Sequence, residues 1–171
     1  MRKKQDSGVT LAIAPTHSGF GYVVFENSDL IMDWGVKGAR LNKQRDFLLK
    51  ARVLMHMLQP SVLVLEDAHH KSSRRSDRVK ALLDKVAELA RSQKVKVVRH
   101  SRSDMLAVFY RMEAENKDEI AAAVAKLVPE LEPRLPPQRR KWESEHQSMG
   151  IFEAAALALT HFARGGGQKL T

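Results

Sequence analysis

Val9-Thr10-Leu11-Ala12-Ile13-Ala14-Pro15-Thr16-His17-Ser18-Gly19-Phe20-Gly21-Tyr22-Val23-Val24-Phe25 is the stretch that decides the fold. Residues Val9–Ala14 form an apolar run that ends at Pro15, and Phe20–Phe25 is aromatic and β-branched. Both suit strands, and the Thr-His-Ser-Gly link between them suits a hairpin. Leu30–Val36 reads as a third strand after a turn at Glu26–Asp29. Three successive strands with short links predict an antiparallel meander.

Downstream the period changes. Phe47, Leu48, Ala51, Leu54, Met55 and Leu58 share one stripe of a helix over Lys43–Leu58, and Pro60 stops it. Ser61–Leu65 is a short apolar run that suits a strand buried on both faces. A helix over Val79–Ala90, a strand over Val95–Val98, a short amphipathic piece over Asp104–Tyr110 and a helix over Lys117–Val128 follow. Glu130–Arg140 holds three prolines and three arginines and reads as a loop or arm. Ile151–Phe162 is an alanine-rich apolar helix expected to start near Ser144. The order predicts an α/β domain with a mixed five-stranded sheet: the meander plus two parallel strands, flanked by helices. The first and fourth strands are central, and a site is expected where their ends meet. The domain is read as residues 9–164, between a basic tail at 1–8 and a Gly-rich tail at 165–171.

Among the 171 residues, 29 Lys and Arg face 20 Asp and Glu, a formal charge of +9. Such an excess favours polyanionic partners: DNA, RNA or an acidic membrane surface. There is no cysteine, which excludes disulfides, thiolate zinc sites and a cysteine nucleophile. No apolar run approaches the ~20 residues of a membrane span, so the expectation is a cytoplasmic protein without a membrane partner.

Several segments together resemble a known family. Leu11–Thr16 with Gly19–Glu26 looks like the first motif of bacterial, RuvC-like Holliday-junction resolvases: a strand ending Ile-Asp-Pro-Gly, a turn, then Thr-Gly-Tyr. Val62-Leu63-Val64-Leu65-Glu66 is similar to their second motif, and Phe152–His161 resembles their last, a helix of the type Asp-Ala-Leu-Ala-Ile-Ala ending in Thr-His. Asn116–Ile120 looks like the start of the preceding helix. The resemblance implies an RNase H-like fold and a Mg²⁺- or Mn²⁺-dependent endonuclease. It would cut branched or structured DNA as a homodimer. Two metal ions clamp the attacking and leaving oxygens in such chemistry, so carboxylates from separate elements must converge.

On the matching positions, Glu66 and Glu153 are the candidate metal ligands and catalytic residues. His146, two helical turns before Glu153, is a candidate ligand or water-orienting group. Ala14 stands where the family has its first catalytic aspartate. Two acids supply two charges against the four of two Mg²⁺ ions, which predicts weak metal binding. Either one metal suffices, another acid compensates, Ala14 replaces a native aspartate, or the domain binds nucleic acid without cutting it. The alternative function is therefore a catalytically inactive RNase H-like nucleic-acid-binding protein, with RNA as a further option. Asp67 is directed to the opposite face from Glu66 by strand alternation.

The basic loop after Glu66 contains Lys71, Arg74 and Arg75, and Arg78 extends it onto the next helix. Cations at a helix N-terminus oppose the dipole, so phosphate contact explains them better than stability does. A second basic group, Arg139 and Arg140 with Arg134 and Lys141, leads to Trp142. Trp142 either stacks on a base or packs the arm onto the domain. Trp34 and Tyr22 read as core residues, and His161 as structural.

Overall fold

The computed structural model describes residues 8–39, 43–138, 140 and 142–165. The five strands are β1 (Val9–Thr16), β2 (Gly19–Glu26), β3 (Leu30–Gly38), β4 (Val62–Glu66) and β5 (Lys96–His100). The helices are α1 (Lys43–Leu58), α2 (Asp77–Ser92), α3 (Arg102–Tyr110), α4 (Lys117–Leu127) and α5 (Met149–Ala163), with a 3₁₀ segment at Pro129–Arg134. The sheet order is β3-β2-β1-β4-β5. β1 pairs antiparallel with β2 and parallel with β4, so the meander and the crossover strands share it as their middle strand.

Alternation along β1 sends its side chains into two cores. Ala12 and Ala14 join Val64, Val23 and the apolar face of α5. Leu11 and Ile13 join Leu63, Leu65 and the buried faces of α1 and α2. α5 is apolar nearly all round, the pattern of a helix buried within a domain. It approaches the sheet closely because two glycines meet. A Cβ on Gly21 would lie 2.0 Å from the Gly150 carbonyl carbon, and one on Gly150 would lie 2.7 Å from Thr16 Cγ2.

Two boundaries that bear on the site differ from the sequence expectation. β1 runs through Pro15 to Thr16 instead of stopping at Ala14. Its ladder with β4 ends at Ala12–Val64, so beyond that point β1 is paired only with β2. There a residue without an N–H is tolerated, as on an edge strand. α5 starts at Met149 and not near Ser144. The preceding turn is fixed by His146, whose Nδ1 accepts from the Ser148 amide (3.1 Å) and hydroxyl (2.7 Å). Trp142 does not pack the arm down: it is 78% exposed, with the Arg140 guanidinium 5.7 Å from its ring centre. Tyr22 is buried as expected, while Trp34 is half-buried at the edge of the core.

Candidate nucleic-acid interface and ion network

The ladder between β4 and β5 continues to Glu66–His100, four residues beyond its start, whereas the β1–β4 ladder has already ended. The ends of β1 and β4 therefore part, and a guanidinium fills the gap. Arg75 Nε donates to Glu66 Oε1 (3.3 Å), Nη1 to the Pro15 carbonyl (3.3 Å) and Nη2 to Glu153 Oε2 (3.2 Å). One side chain thus ties β1, β4 and α5 together. Lys117, the first residue of α4, contacts Glu153 Oε1 at 2.7 Å and Glu145 at 3.2 Å. Side-chain exposures of 9% for Glu66 and 13% for Glu153 make these pairs largely desolvated on the acid side.

The electrostatics follow from this packing. Burial pulls the Arg75 pKa down, but Glu153 and then Glu66 outweigh it and hold the guanidinium above its ordinary value. Burial also pulls Lys117 down, and Glu153 and then Glu145 more than reverse it. Both cations stay charged throughout the neutral range. Beside them lies a cavity of about 170 Å³, lined by Thr16, His17, Arg75, Lys117, His146 and Glu153 among others.

The candidate residues are placed as follows. Glu66 and Glu153 come together through Arg75. Ala14 is fully buried on the α5-facing side of β1, the side that alternation also gives Glu66 through Val64. His146 lines the cavity but has its Nδ1 engaged by Ser148. Asp67 accepts from the His69 amide at 3.3 Å and is not part of the network. Arg75 turns inward, so it does not belong to the exposed phosphate-binding group in which its sequence position put it. Its path is set by the loop: the Arg75 amide donates to Ser73 Oγ, and Ser72 Oγ accepts from the Ser103 amide. Lys71, Arg74, Arg78 and Arg140 are exposed, and Arg139 lies outside the described residues.

Sequence reasoning missed Lys117, Glu145, the Pro15 carbonyl and the Gly21–Gly150 contact. A signal for Lys117 was present: a cation at the first position of a helix opposes the dipole and needs an acid nearby.

The donor set does not fit a divalent-ion pair. Ala14, on the same side of the sheet, brings only a methyl group. Each of the two remaining carboxylates already holds a cation, and Glu153 holds two. An arriving Mg²⁺ would compete for these carboxylates with a guanidinium that makes three hydrogen bonds, and of the two acids only Glu66 keeps an oxygen, Oε2, without a hydrogen-bond partner among the described residues. Among the described residues no group of three His, Asp or Glu side chains is arranged to hold a metal.

No protein-family model and no curated protein matches the chain by sequence. Solved structures do match it. The chain is similar to Thermus thermophilus RuvC (TM-score 0.62, 18% identity), over 94% of this chain and 98% of that one. The same coverage and identity hold for T. thermophilus RuvC in complex with a Holliday junction substrate, at a TM-score of 0.63. The fold is therefore the RNase H-like architecture of RuvC, a mixed five-stranded sheet between helical layers.

Proposed function

We propose that this chain is a RuvC-fold protein that binds branched or structured DNA and holds it without metal-dependent cleavage. The observation that carries this reading is the Arg75 guanidinium bridging Glu66 and Glu153. At the place where hydrolysis needs free carboxylates and an ion, the protein supplies its own fixed cations. The formal charge of +9 and the exposed Lys71, Arg74, Arg78 and Arg140 support a polyanionic ligand. The junction-bound RuvC of the same fold supports a branched one. A four-way junction is close to two-fold symmetric, so a homodimer is the assembly that matches it.

One observation favours the nuclease reading. Glu66 Oε2 is buried and without a hydrogen-bond partner among the described residues, so it is a free ligating oxygen. A single assay separates the two. Binding and cleavage of four-way junction, duplex, single-stranded DNA and RNA–DNA hybrid are followed with and without Mg²⁺ or Mn²⁺. Tight junction binding with no product is expected. Metal-dependent product that disappears in Glu66→Gln would overturn the proposal and establish the nuclease.

A further inference from the structure

The arm that leads into α5 carries its largest side chain on the outside. Tryptophan is on average a well-buried residue, and Trp34 follows that habit, half-buried against the core. Trp142 is 78% exposed, more than any other large apolar side chain among the described residues. The turn that carries it is closed by two hydrogen bonds. The Glu143 amide donates to the Arg140 carbonyl (3.0 Å), and the Arg140 amide donates to Glu143 Oε2 (3.3 Å). Three residues further on, Glu145 is tied to Lys117 at 3.2 Å, and Lys117 to Glu153 at 2.7 Å. Three residues span at most about 11 Å, so this turn is anchored beside the ends of β1 and β4. The Arg140 guanidinium lies over the indole, 5.7 Å from the ring centre, and the exposure leaves the other face of the ring to solvent.

An exposed side chain buries little apolar surface and adds little to folding. What Trp142 offers instead is a flat π-face, held on a bonded turn, with a positive charge beside it. That pair matches a nucleotide: a base stacks on the indole while a phosphate meets the guanidinium. In a continuous duplex each base is already stacked on both neighbours, so the contact requires a base with a free face. We propose that Trp142 stacks on an unpaired base of the bound DNA, with Arg140 on an adjoining phosphate. The contact selects DNA with unstacked bases over continuous duplex. The proposal rests on the DNA-binding reading above and names the part of the ligand that is recognised.

The experiment is fluorescence anisotropy across a salt series. One labelled ligand is a four-way junction with unpaired bases at its crossover, and the other is a continuous duplex. Wild type is compared with Trp142→Ala, Trp142→Phe, Trp142→Leu and Arg140→Ala, with thermal melts and sedimentation of each. All should melt with the wild type, because the side chains replaced are exposed. Trp142→Ala should weaken junction binding by about 5- to 150-fold, the range for one lost base–aromatic stack. Its duplex affinity and its slope of log affinity against log salt should not change. Trp142→Phe, which keeps a π-face, should retain most of the affinity, and Trp142→Leu, which keeps only apolar bulk, should not. Arg140→Ala should lower the magnitude of the slope by up to ~0.9, one phosphate contact. Unchanged junction affinity in Trp142→Ala, or an equal loss on duplex, would overturn the stacking proposal while leaving DNA binding in place. A dimer that becomes a monomer in Trp142→Ala would assign the indole to an interface between copies and reject stacking. A wild type that binds neither ligand would instead overturn the function itself.

Discussion

Two cavities share the Pro15–His17 turn, and their cations differ in one respect. On the α5 side Arg75 and Lys117 are matched by Glu66, Glu153 and Glu145. On the α1–α2 side Lys43 and Arg78 are exposed and share the first turns of their helices with Asp46 and Asp77. A buried charge must be paired, because desolvation costs several kcal/mol per ion unless hydrogen bonds offset it. An exposed charge needs no partner and stays available to a ligand. The first cavity is therefore part of the fold's framework, while the cations beside the second stay open to solvent. Sequence position alone does not separate them, since Arg75 and Arg78 are three residues apart.

The comparison breaks most visibly at Arg75. Arg75→Ala leaves two mostly buried carboxylates short of a partner and should cost about 3–5 kcal/mol. For a chain of this length that is a fall of roughly 10 °C in melting temperature. Lys43→Ala/Arg78→Ala should show no such fall. Arg75→Lys should recover only part of the loss, because an ammonium keeps the charge but not the planar fork that reaches three acceptors on three elements. Thermal or urea melts of the three variants decide it. Equal stability of Arg75→Ala and wild type would mean the network is incidental to the fold.

A smaller effect is expected where α5 meets β2. Every near neighbour of a Cβ at Gly21 is backbone, so nothing can rotate away, and Gly21→Ala should cost about 1–3 kcal/mol as the helix is pushed off the sheet. Gly150→Ala meets the Thr16 methyl first and should cost less. If the glycine contact positions Glu153 for Arg75, the losses in Gly21→Ala and Arg75→Ala will not add. A double-mutant cycle measures that shortfall, and strict additivity would uncouple the glycines from the network.

Much of this framework can be read from the residues. Short apolar and β-branched runs placed all five strands, and α1 begins and ends at the residues its stripe predicts. Glu66 and Glu153 stood out through the family resemblance, one closing a buried strand and the other set in an alanine-rich helix, where a carboxylate that is buried needs a partner. What compensates it was not legible. Arg74 and Arg75 are neighbours of identical chemistry, and only the turn held by Ser72 and Ser73 sends one inward and leaves the other outside. Gly150 acts sterically, through a close contact with Gly21 that lies far away in sequence. Pro15 read as a strand end because its usual cost is a lost ladder bond, and that cost vanishes once β4 has turned away.

Acid sharpens the contrast in another way. Lys117 is held above its usual pKa, so its contribution is complete below about pH 10.4 and is lost only as pH rises through the raised value. Neither it nor Arg75 titrates between pH 7 and 5. The His100–His161 pair is the group to watch there, because its folded and unfolded states take up protons at different pH. The rings meet at 3.1 Å, and burial holds both below the ordinary histidine value. Asp104 favours the charged His100 and Arg164 opposes it, while His100 and Lys96 oppose a charged His161. Below about pH 6.5 the unfolded chain takes up these protons first, so stability should decline until the depressed folded values are passed. Urea melts between pH 7 and 5 should show that decline, and His161→Gln should flatten it. A decline of the same slope in the variant would move its origin to another group.

The smallest expected effect is a null one, and it bears most directly on function. A ligand that binds the folded state raises stability by RT ln(1 + [L]/Kd). Millimolar Mg²⁺ or Mn²⁺ should leave the wild-type melting temperature unchanged, because Arg75 and Lys117 already neutralise the carboxylates an ion would use. Removing the guanidinium and adding a third acid should reverse this. In Ala14→Asp/Arg75→Ala three carboxylates crowd one buried spot, their repulsion destabilises the apo protein, and a divalent ion relieves it. That variant should melt below Arg75→Ala without metal and gain several degrees with Mn²⁺. Ala14→Asp alone should gain little, since Arg75 remains in place. A wild-type rise of several degrees that Glu66→Gln abolishes would show that Arg75 yields to metal. The charges on both sides of the turn would then be open to a ligand, and the cleavage-silent reading would fail with the distinction on which it stands.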